Sequence, residues 1–219
     1  MNTRTLKLVA VDAGGTRQER KQRTRQALLD AALGAQQSLA SLSLREVTRE
    51  VGIVPTAFYR HFTSMDELGV ELVEEAMRPL RAMLRDARKR PAGDAIRGSV
   101  DILVNQVGKH GPHFRFLLRE RHGDVPSVRR AIAAELRLLG SELAVDLGRF
   151  PGLADWSAED LRMGADLMVG AMMSIVTALL EVGDHPDDRV HVVSVAEGQL
   201  RLIVLGMAAW RGEAAGSTR

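Results

Sequence analysis

The stretch SLREVTREVGIVPTAFYRHF, residues 43–62, contains the local signals of two short helices joined by a tight turn. Ser43 and Glu46 have the spacing of a capping box, in which the two side chains satisfy free amides at a helix start. Gly52 suits the left-handed conformation that ends a helix. Pro55 suits the first turn of the next helix, where its missing N–H costs nothing. Together these residues predict a helix-turn-helix.

A helix-turn-helix binds DNA by placing its second helix in the major groove. Phe58 and Phe62 lie four residues apart and are expected to face inward, which leaves a polar face for base edges and phosphates. The candidate DNA-binding residues are Arg17, Arg20, Arg25, Ser43, Arg45, Pro55, Thr56, Ala57, Tyr59, Arg60 and His61. From the spacing alone, an ordinary helical corner with a solvated polar face remains the alternative.

Charge is unevenly distributed along the chain. The net charge of the 219 residues is +2. Residues 1–62 contain ten Arg and Lys residues against five Asp and Glu residues, so this quarter carries +5 and the remainder −3. A basic N-terminal quarter on a mildly acidic body favours a head that binds a polyanion such as DNA.

Apolar residues at spacings of three and four predict helices along nearly the whole chain. The predicted helices cover about 18–36, 44–51, a third from 55, a fourth from 65 that ends or kinks at Pro79, 94–109, 112–121, 127–150, 158–181 and 188–211. The fold is therefore predicted to be all-α with about nine helices. It consists of a three-helix N-terminal head and a C-terminal helical body.

The predicted division is a disordered tail at 1–16, the head at 17–64 and the body at 65–213. Residues 6–12 alternate as in a strand and lead into Asp12-Ala13-Gly14-Gly15-Thr16, which resembles the phosphate loop of sugar kinases. Such a kinase needs further strands around the loop, whereas a basic helix follows here. A tail is the favoured interpretation.

Several classes of protein are disfavoured by what the sequence lacks. There is no cysteine, so disulfides, thiolate metal sites and cysteine catalysis are excluded. The six histidines have no acidic partners at metal-binding spacing, and no catalytic motif is found, so we expect no metal, no cofactor and no enzyme activity. The longest uncharged apolar stretch, 167–180, has 14 residues against the roughly 20 of a membrane span, and no signal peptide is recognised. A cytoplasmic protein without a membrane partner is expected.

The last two predicted helices are apolar on more than one face. Residues 167–180 are apolar nearly all round, and residues 202–210 are two-sided. Small residues, namely Gly164, Gly170, Ala171 and Ser174, would permit close approach of a second helix. A homodimer joined through the eighth and ninth helices would bury both surplus faces in a four-helix interface.

The quoted stretch resembles the DNA-binding signature of the TetR family of bacterial repressors. The resemblance rests on SLREV at 43–47, Gly52-Ile53, AFYRHF at 57–62 and Asp66-Glu67-Leu68. Within that family the chain more closely resembles FabR/DesT-type regulators of fatty acid metabolism. The matching segments are ASLSLREV at 40–47, PTAFYRHF at 55–62, DELG at 66–69 and FRFLLRER at 114–121. Two positions depart from the family pattern. Met65 stands where the family usually has a lysine, and Val54 stands where it usually has Ser or Thr.

The resemblance implies a regulator, expected to be a repressor, that binds an inverted-repeat operator as a homodimer and holds a hydrophobic ligand in its body. A long-chain acyl-CoA or similar acyl ligand is the implied candidate, with Arg115, Arg119 and Arg121 as partners for its phosphates. The candidate ligand-binding residues are Ile102, Leu103, Val107, Phe114, Leu117, Leu118, Leu167, Met168 and Met172. The alternatives are a TetR-type repressor for another hydrophobic molecule, and a helical lipid-binding or adaptor protein without a DNA function.

Overall fold

The computed structural model describes residues 16–87, 95–183 and 185–210. Within these ranges the chain forms nine α-helices and no strand, which confirms the predicted fold class. The helices are α1 (Arg17–Gly34), α2 (Leu44–Val51), α3 (Pro55–Phe58), α4 (Met65–Ala87), α5 (Ala95–Lys109), α6 (Gly111–Glu120), α7 (Pro126–Leu147), α8 (Ala158–Val182) and α9 (Pro186–Ala209). A short 3₁₀ helix, Pro151–Leu153, precedes α8.

The head is built by α1, α2 and α3 around one apolar centre. Leu28 of α1, Val47 of α2 and Phe58 of α3 are buried there, and Phe62 closes the centre from beyond α3. The rings of Phe58 and Phe62 are 5.6 Å apart between centroids. Burial of both phenylalanines agrees with the prediction that they share an inward face.

The start and end of α2 follow the sequence signals. The Ser43 hydroxyl accepts a hydrogen bond from the Glu46 amide at 3.2 Å, and the Glu46 carboxylate accepts one from the Ser43 amide at 2.8 Å. Gly52 ends the helix with φ at +75°. A second capping box, which the sequence analysis did not single out, joins Thr16 and Glu19 at the start of α1. Thr16, placed in the predicted tail, is therefore the N-cap of the first helix; residues 1–15 lie outside the described residues.

The prediction that α4 ends at Pro79 is wrong. The α-helix continues through Pro79 to Ala87. The proline removes one backbone hydrogen bond, but its neighbours Met77 and Leu80 are fully buried in the main core. α4 thus remains one continuous helix that links the head to the body, and a kink at Pro79 stays a prediction.

In the body, α5, α6 and α7 pack against α4, whereas α8 packs on α5, α6 and α7, and α9 packs on α5 and α8. Val100, Phe116, Ile132 and Val176 are buried in the same core cluster as the head residues. The start of α7 is tied to the start of α4, because Ser127 donates a hydrogen bond to Asp66 at 2.6 Å. α7 ends at Leu147, a few residues before its predicted end, since the 3₁₀ helix follows. Head and body therefore share one continuous core.

Gly52 allows a direct test of the turn between α2 and α3. No neighbouring atom lies within 4 Å of a Cβ added there, but its φ is strained for any L-residue. We expect Gly52→Ala to lower the free energy of unfolding by about 1 kcal/mol. Urea denaturation measures this change. Gly34→Ala is the matched control, because the site is equally open and the backbone is helical; equal losses in both variants would contradict the explanation.

Candidate nucleic-acid interface and ligand domain

The recognition segment begins as α3 and continues as turns to Phe62. The α-helix proper ends at Phe58, but the amides of Arg60 and His61 donate to the carbonyls of Ala57 and Phe58 at 3.2 and 2.8 Å. Thr56, Tyr59 and Arg60 are exposed on the outer side. Tyr59 is 62% exposed, and its ring meets the buried Phe58 edge-on at 5.7 Å. The segment thus presents polar side chains outward, while the buried Phe58 fixes its inner side.

Arg25, one of the predicted DNA-binding residues, is held by contacts within the subunit. Its guanidinium pairs with the Glu71 carboxylate of α4, donates to the backbone carbonyl of His61, and lies 4.2 Å from the centroid of the Phe62 ring. All of these contacts are within the subunit, so Arg25 positions the recognition segment, and a phosphate contact by its guanidinium would have to displace them. The pair is only partly exposed, at 25% for Arg25 and 28% for Glu71.

The other basic candidates remain on the surface. Arg17 and Arg20 are exposed along the first turns of α1, and Arg45 is exposed on α2. Ser43 is also exposed, but its hydroxyl already donates to the Glu46 carboxylate at 2.7 Å. Hydrogen bonds from Ser43 lower the pKa of Glu46, so this carboxylate stays ionised near the start of α2. A phosphate contact by Ser43 would have to displace it. Pro55 is exposed and Ala57 half-buried.

His61 lies at the end of the recognition segment, close to Lys21 and Arg25 of α1. Its ring is half-buried, and Nδ1 is buried without a hydrogen-bond partner within the described residues. Burial lowers the pKa of His61, and the neighbouring charges of Lys21, Arg25 and Arg60 lower it further. Burial and these positive charges therefore favour the neutral imidazole.

The candidate ligand-binding residues divide into three groups. Ile102, Leu103, Val107, Phe114, Leu117 and Met172 are buried in the core, and Leu118 is half-buried against it. Met168 packs instead in a second small cluster around Leu147, Ala165 and Met207. Leu167 is 57% exposed and does not line the interior. Leu167 and Met168 therefore lie outside the main core cluster, whereas the rest of the set is buried or half-buried in the body. The ligand-binding role of these residues stays a prediction.

A buried carboxylate joins α6 to the head. Glu120 is 1% exposed, and its Oε1 accepts hydrogen bonds from the Leu39 amide at 3.0 Å and from Nε of Arg119 at 2.9 Å. Arg119 in turn donates to the carbonyl of Ala35 at 3.3 Å. Both contacts are on the segment between α1 and α2. Sequence reasoning missed this link. The sequence signal that could have revealed it is the position of Glu120, four residues after Phe116 and therefore on the same inward face of α6.

Two cavities stand out in the described part of the chain, and neither is lined by the predicted ligand residues. The larger, about 550 Å³, lies between α1 and α2 and includes Asp30, Glu46 and Glu50. Those carboxylates make it unsuited to phosphate. The smaller, about 240 Å³, lies between α6, α7 and α8.

The outer faces of α8 and α9 are apolar, as predicted. Met163 and Leu167 on α8, and Leu202 and Leu205 on α9, are among the exposed large apolar side chains. Gly170 and Ser174 are exposed between them, but Gly164 is buried against Met207 of the same subunit. Gly164 therefore serves packing within the subunit, contrary to its predicted place in a dimer interface.

By length and mean hydropathy, α8 and α9 would also be long enough to cross a membrane. Only 33% of the apolar segment of α8 and 11% of that of α9 is buried within the subunit. Both helices nevertheless carry charged pairs, namely Arg162 with Asp166 on α8 and Glu197 of α9 with Arg97. Core helices of water-soluble proteins meet the same criterion, so it is weak support for a membrane span.

Comparison with known protein families identifies both parts of the chain. Residues 28–72 match the family model of bacterial regulatory proteins of the tetR family. Residues 92–206, more than half of the chain, match the tetracyclin repressor-like C-terminal domain. The chain belongs to the TetR family. Regulators of this family bind operator DNA, dimerise, respond to small-molecule ligands and are generally not enzymes. They are soluble proteins, typically cytoplasmic.

Solved structures of regulators share the fold. FadR from Bacillus subtilis, in complex with stearoyl-CoA, is 15% identical with a TM-score of 0.63, covering 83% of this chain and 98% of its own. A TetR-family regulator from Streptomyces coelicolor is 22% identical with a TM-score of 0.59, covering 83% and 96%. The multidrug binding protein EbrR, complexed with imidazole, is 20% identical with a TM-score of 0.58, covering 83% and 89%. At these identities the likeness extends to the fold alone.

The neutral histidines make stability depend on pH. Burial lowers the pKa of His113 as well as that of His61. Because the unfolded chain binds these protons near pH 6.5 and the folded chain only at lower pH, stability falls as the pH drops below about 6.5. We expect the free energy of unfolding of the free protein to decrease from pH 7.5 to 5.5, and His113→Gln to reduce that decrease. Denaturant titrations at both pH values measure it.

The control for this prediction is His122→Gln, because His122 is exposed at the end of α6. The control is expected to keep the full decrease. An unchanged pH dependence in His113→Gln would contradict the assignment to His113.

Proposed function

We propose that this TetR-family regulator is a homodimeric repressor that binds an inverted-repeat operator and is controlled by a hydrophobic acyl ligand. The observation that carries the DNA function is the recognition segment. It presents Thr56, Tyr59 and Arg60 outward from two buried phenylalanines, with Arg17 and Arg20 exposed on the adjoining helix.

The proposed contacts divide by chemistry. Arg60 has the planar donors that fit a guanine edge in the major groove. Thr56 and Ala57 are short enough to let the segment approach the bases. Tyr59, His61 and the basic turns of α1 are assigned to phosphates, which supply affinity without sequence preference. Sequence preference is therefore concentrated at one or two residues of each recognition segment.

We expect Arg60→Ala to weaken operator binding by about 1–3 kcal/mol and to relax the preference at one base pair of each half-site. Operators selected from random DNA provide the site, and fluorescence anisotropy measures affinity on it and on random duplex. Arg130→Ala, an exposed arginine on α7, is the control. Equal losses on operator and random DNA would make Arg60 a phosphate contact.

The proposed dimer joins α8 and α9 of two subunits about a two-fold axis. The exposed apolar residues recur at helical spacing, at 163 and 167 on α8 and at 195, 202 and 205 on α9. Gly170, Gly198 and Gly206 leave open space beside them, so two helix backbones can come close. Large exposed apolar surfaces of this kind mark interaction sites, and two-fold pairing buries the same face on both subunits.

We expect Leu202→Glu to convert the dimer to monomer at micromolar concentration, because Leu202 is 71% exposed in the subunit and would be buried by its partner. Light scattering measures the mass. Leu138→Glu is the control, since Leu138 is an exposed leucine of α7 outside the proposed interface. A Leu202→Glu variant that remains dimeric would contradict the proposed interface.

The acyl ligand is proposed from the chemistry of the body and from the sequence resemblance to FabR/DesT-type regulators. Phe114, Leu117 and Met172 form a wholly apolar region between α6 and α8, and methionine adapts readily to flexible chains. The FadR structure holds stearoyl-CoA in the same fold. Because this region is closely packed, an acyl chain must open it. The EbrR structure, described as a multidrug binding protein, supports the second candidate, a regulator of efflux.

Ligand binding is proposed to reach the head through α6. Glu120 and Arg119 hold the α1–α2 segment directly, so a shift of α6 moves the recognition segments of both subunits. Such a shift changes operator affinity only if the ligand binds the two arrangements unequally. The direction of the response, release or strengthening, is left to the measurement.

We expect oleoyl-CoA or stearoyl-CoA to change the operator affinity of the wild-type dimer, and Glu120→Gln to reduce that change. The glutamine keeps an acceptor for the Leu39 amide but loses the charge that holds Arg119. Anisotropy titrations with and without each thioester measure both effects. Glu135→Gln, which removes a carboxylate that pairs with Arg81 of α4, is the control. If neither thioester alters operator affinity at saturation, the acyl ligand is wrong and the efflux candidate takes its place.

A further inference from the structure

The turn that leads into α3 exposes a large apolar side chain. Val54 directly precedes α3 and is 64% exposed. Among residues 16–64, all of which the structure describes, the exposed large apolar side chains are Val54 and Tyr59, and both border α3. Single exposed apolar residues are common on protein surfaces, but these two lie on the segment that is proposed to enter the major groove. Their shared position links the exposed apolar surface of the head to DNA.

Val54 is held in place by hydrogen bonds of the backbone on both sides. The Ile53 amide donates to the carbonyl of the buried Thr48 at 2.9 Å, and the half-buried Ile53 side chain packs against the main core. The carbonyl of Val54 accepts from the Ala57 amide at 2.9 Å, which joins Val54 to the first turn of α3. The turn therefore directs Ile53 inward and presents Val54 outward from a fixed backbone.

The surface formed by Val54 and Pro55 offers no side-chain hydrogen-bond donor. Both side chains are hydrocarbon, and the exposed Pro55 also lacks a backbone N–H. Val54 makes no side-chain capping hydrogen bond to α3. Contact of this surface with the edge of guanine, cytosine or adenine would leave donors and acceptors of the groove without partners, which is costly. Thymine differs, because it places a C5-methyl group in the major groove.

We infer that Val54, together with Pro55, recognises a thymine in each half-site of the operator through an apolar contact with the C5-methyl group. The inference deepens the proposed function and rests on it. It adds a specificity-determining residue at the start of the recognition segment, whereas the proposed guanine contact of Arg60 lies near its end. The two-fold symmetry of the dimer places the same contact in both half-sites.

The test removes the methyl group from the DNA without changing the base pairing. Operators are selected from random DNA with the wild-type protein and resynthesised with deoxyuridine in place of each thymine in turn, in both half-sites at once. Fluorescence anisotropy measures the affinity. We expect one thymine position at which this change weakens wild-type binding on the order of tenfold, because burial of each methyl group contributes about fourfold.

Val54→Ala should remove this dependence, because alanine is too short to reach the methyl group. We expect the variant to bind the thymine and deoxyuridine operators within about twofold of each other at that position. Any effect of deoxyuridine on the shape or stiffness of the DNA itself remains in the variant, so the difference between the two proteins isolates the contact. Because Val54 is exposed, the variant is expected to fold, and thermal unfolding checks this.

Val145→Ala is the matched control, because Val145 is a valine of α7 that is 59% exposed and lies outside the head. It should retain the full wild-type response to deoxyuridine. A loss of that response in the control would show that the change in Val54→Ala is not specific to the recognition segment, and would overturn the inference.

Three further results would overturn the inference: an equal deoxyuridine effect in wild type and Val54→Ala, no thymine position that responds, or a selected half-site without thymine. A loss in Val54→Ala that is the same on every operator and on random duplex would assign Val54 to the sugar–phosphate backbone instead. If selection recovers no specific operator, the proposed function fails and the thymine contact fails with it. If an operator is bound and only the Val54-dependent effect is missing, the proposed function stands and the inference alone fails.

Discussion

The guanidinium of Arg25 is the contact on which the recognition segment depends. α3 has only four residues, and a helix of that length is not stable by itself in water. Its orientation must come from tertiary contacts, and Arg25 adds to the burial of Phe58 and Phe62 by contacts from one side chain. The guanidinium pairs with Glu71 of α4, donates to the carbonyl of His61 and stacks on the Phe62 ring. The recognition segment is thereby fixed to α1 and α4 together.

Arg25 and Glu120 provide two of the polar contacts that join the head to the body. Arg25 joins the recognition segment to α4, and Glu120 of α6 joins the segment between α1 and α2. The second contact is deeply buried, where a carboxylate without its partners is costly. The head is therefore expected to follow α4 and α6 as a unit, which is how a body distant from DNA can move the recognition segments.

Local signals in the sequence predicted most of the fold, whereas contacts between distant residues were not predictable. The capping box at Ser43, the left-handed Gly52 and the buried Phe58 depend on residues a few positions apart, so the sequence reveals them. Arg25 looked like other basic residues of α1, because its partner Glu71 is 46 positions away. The exposure of Leu167 was not predictable for a related reason. An apolar helix reveals that two faces are buried somewhere, but its periodicity does not identify which face meets its own subunit.

The lengths of the elements restrict how a ligand can act. α6 has ten residues, and Phe114, Phe116, Leu117 and Glu120 are all buried along it. Because close-packed interiors transmit displacement, a helix packed in this way is expected to shift as a unit. Phe114, where an acyl chain is proposed to enter, lies near the start of α6, and Glu120 lies at its end. Under that proposal, a chain that enters at Phe114 would act on the head through Glu120 at the other end of the same helix.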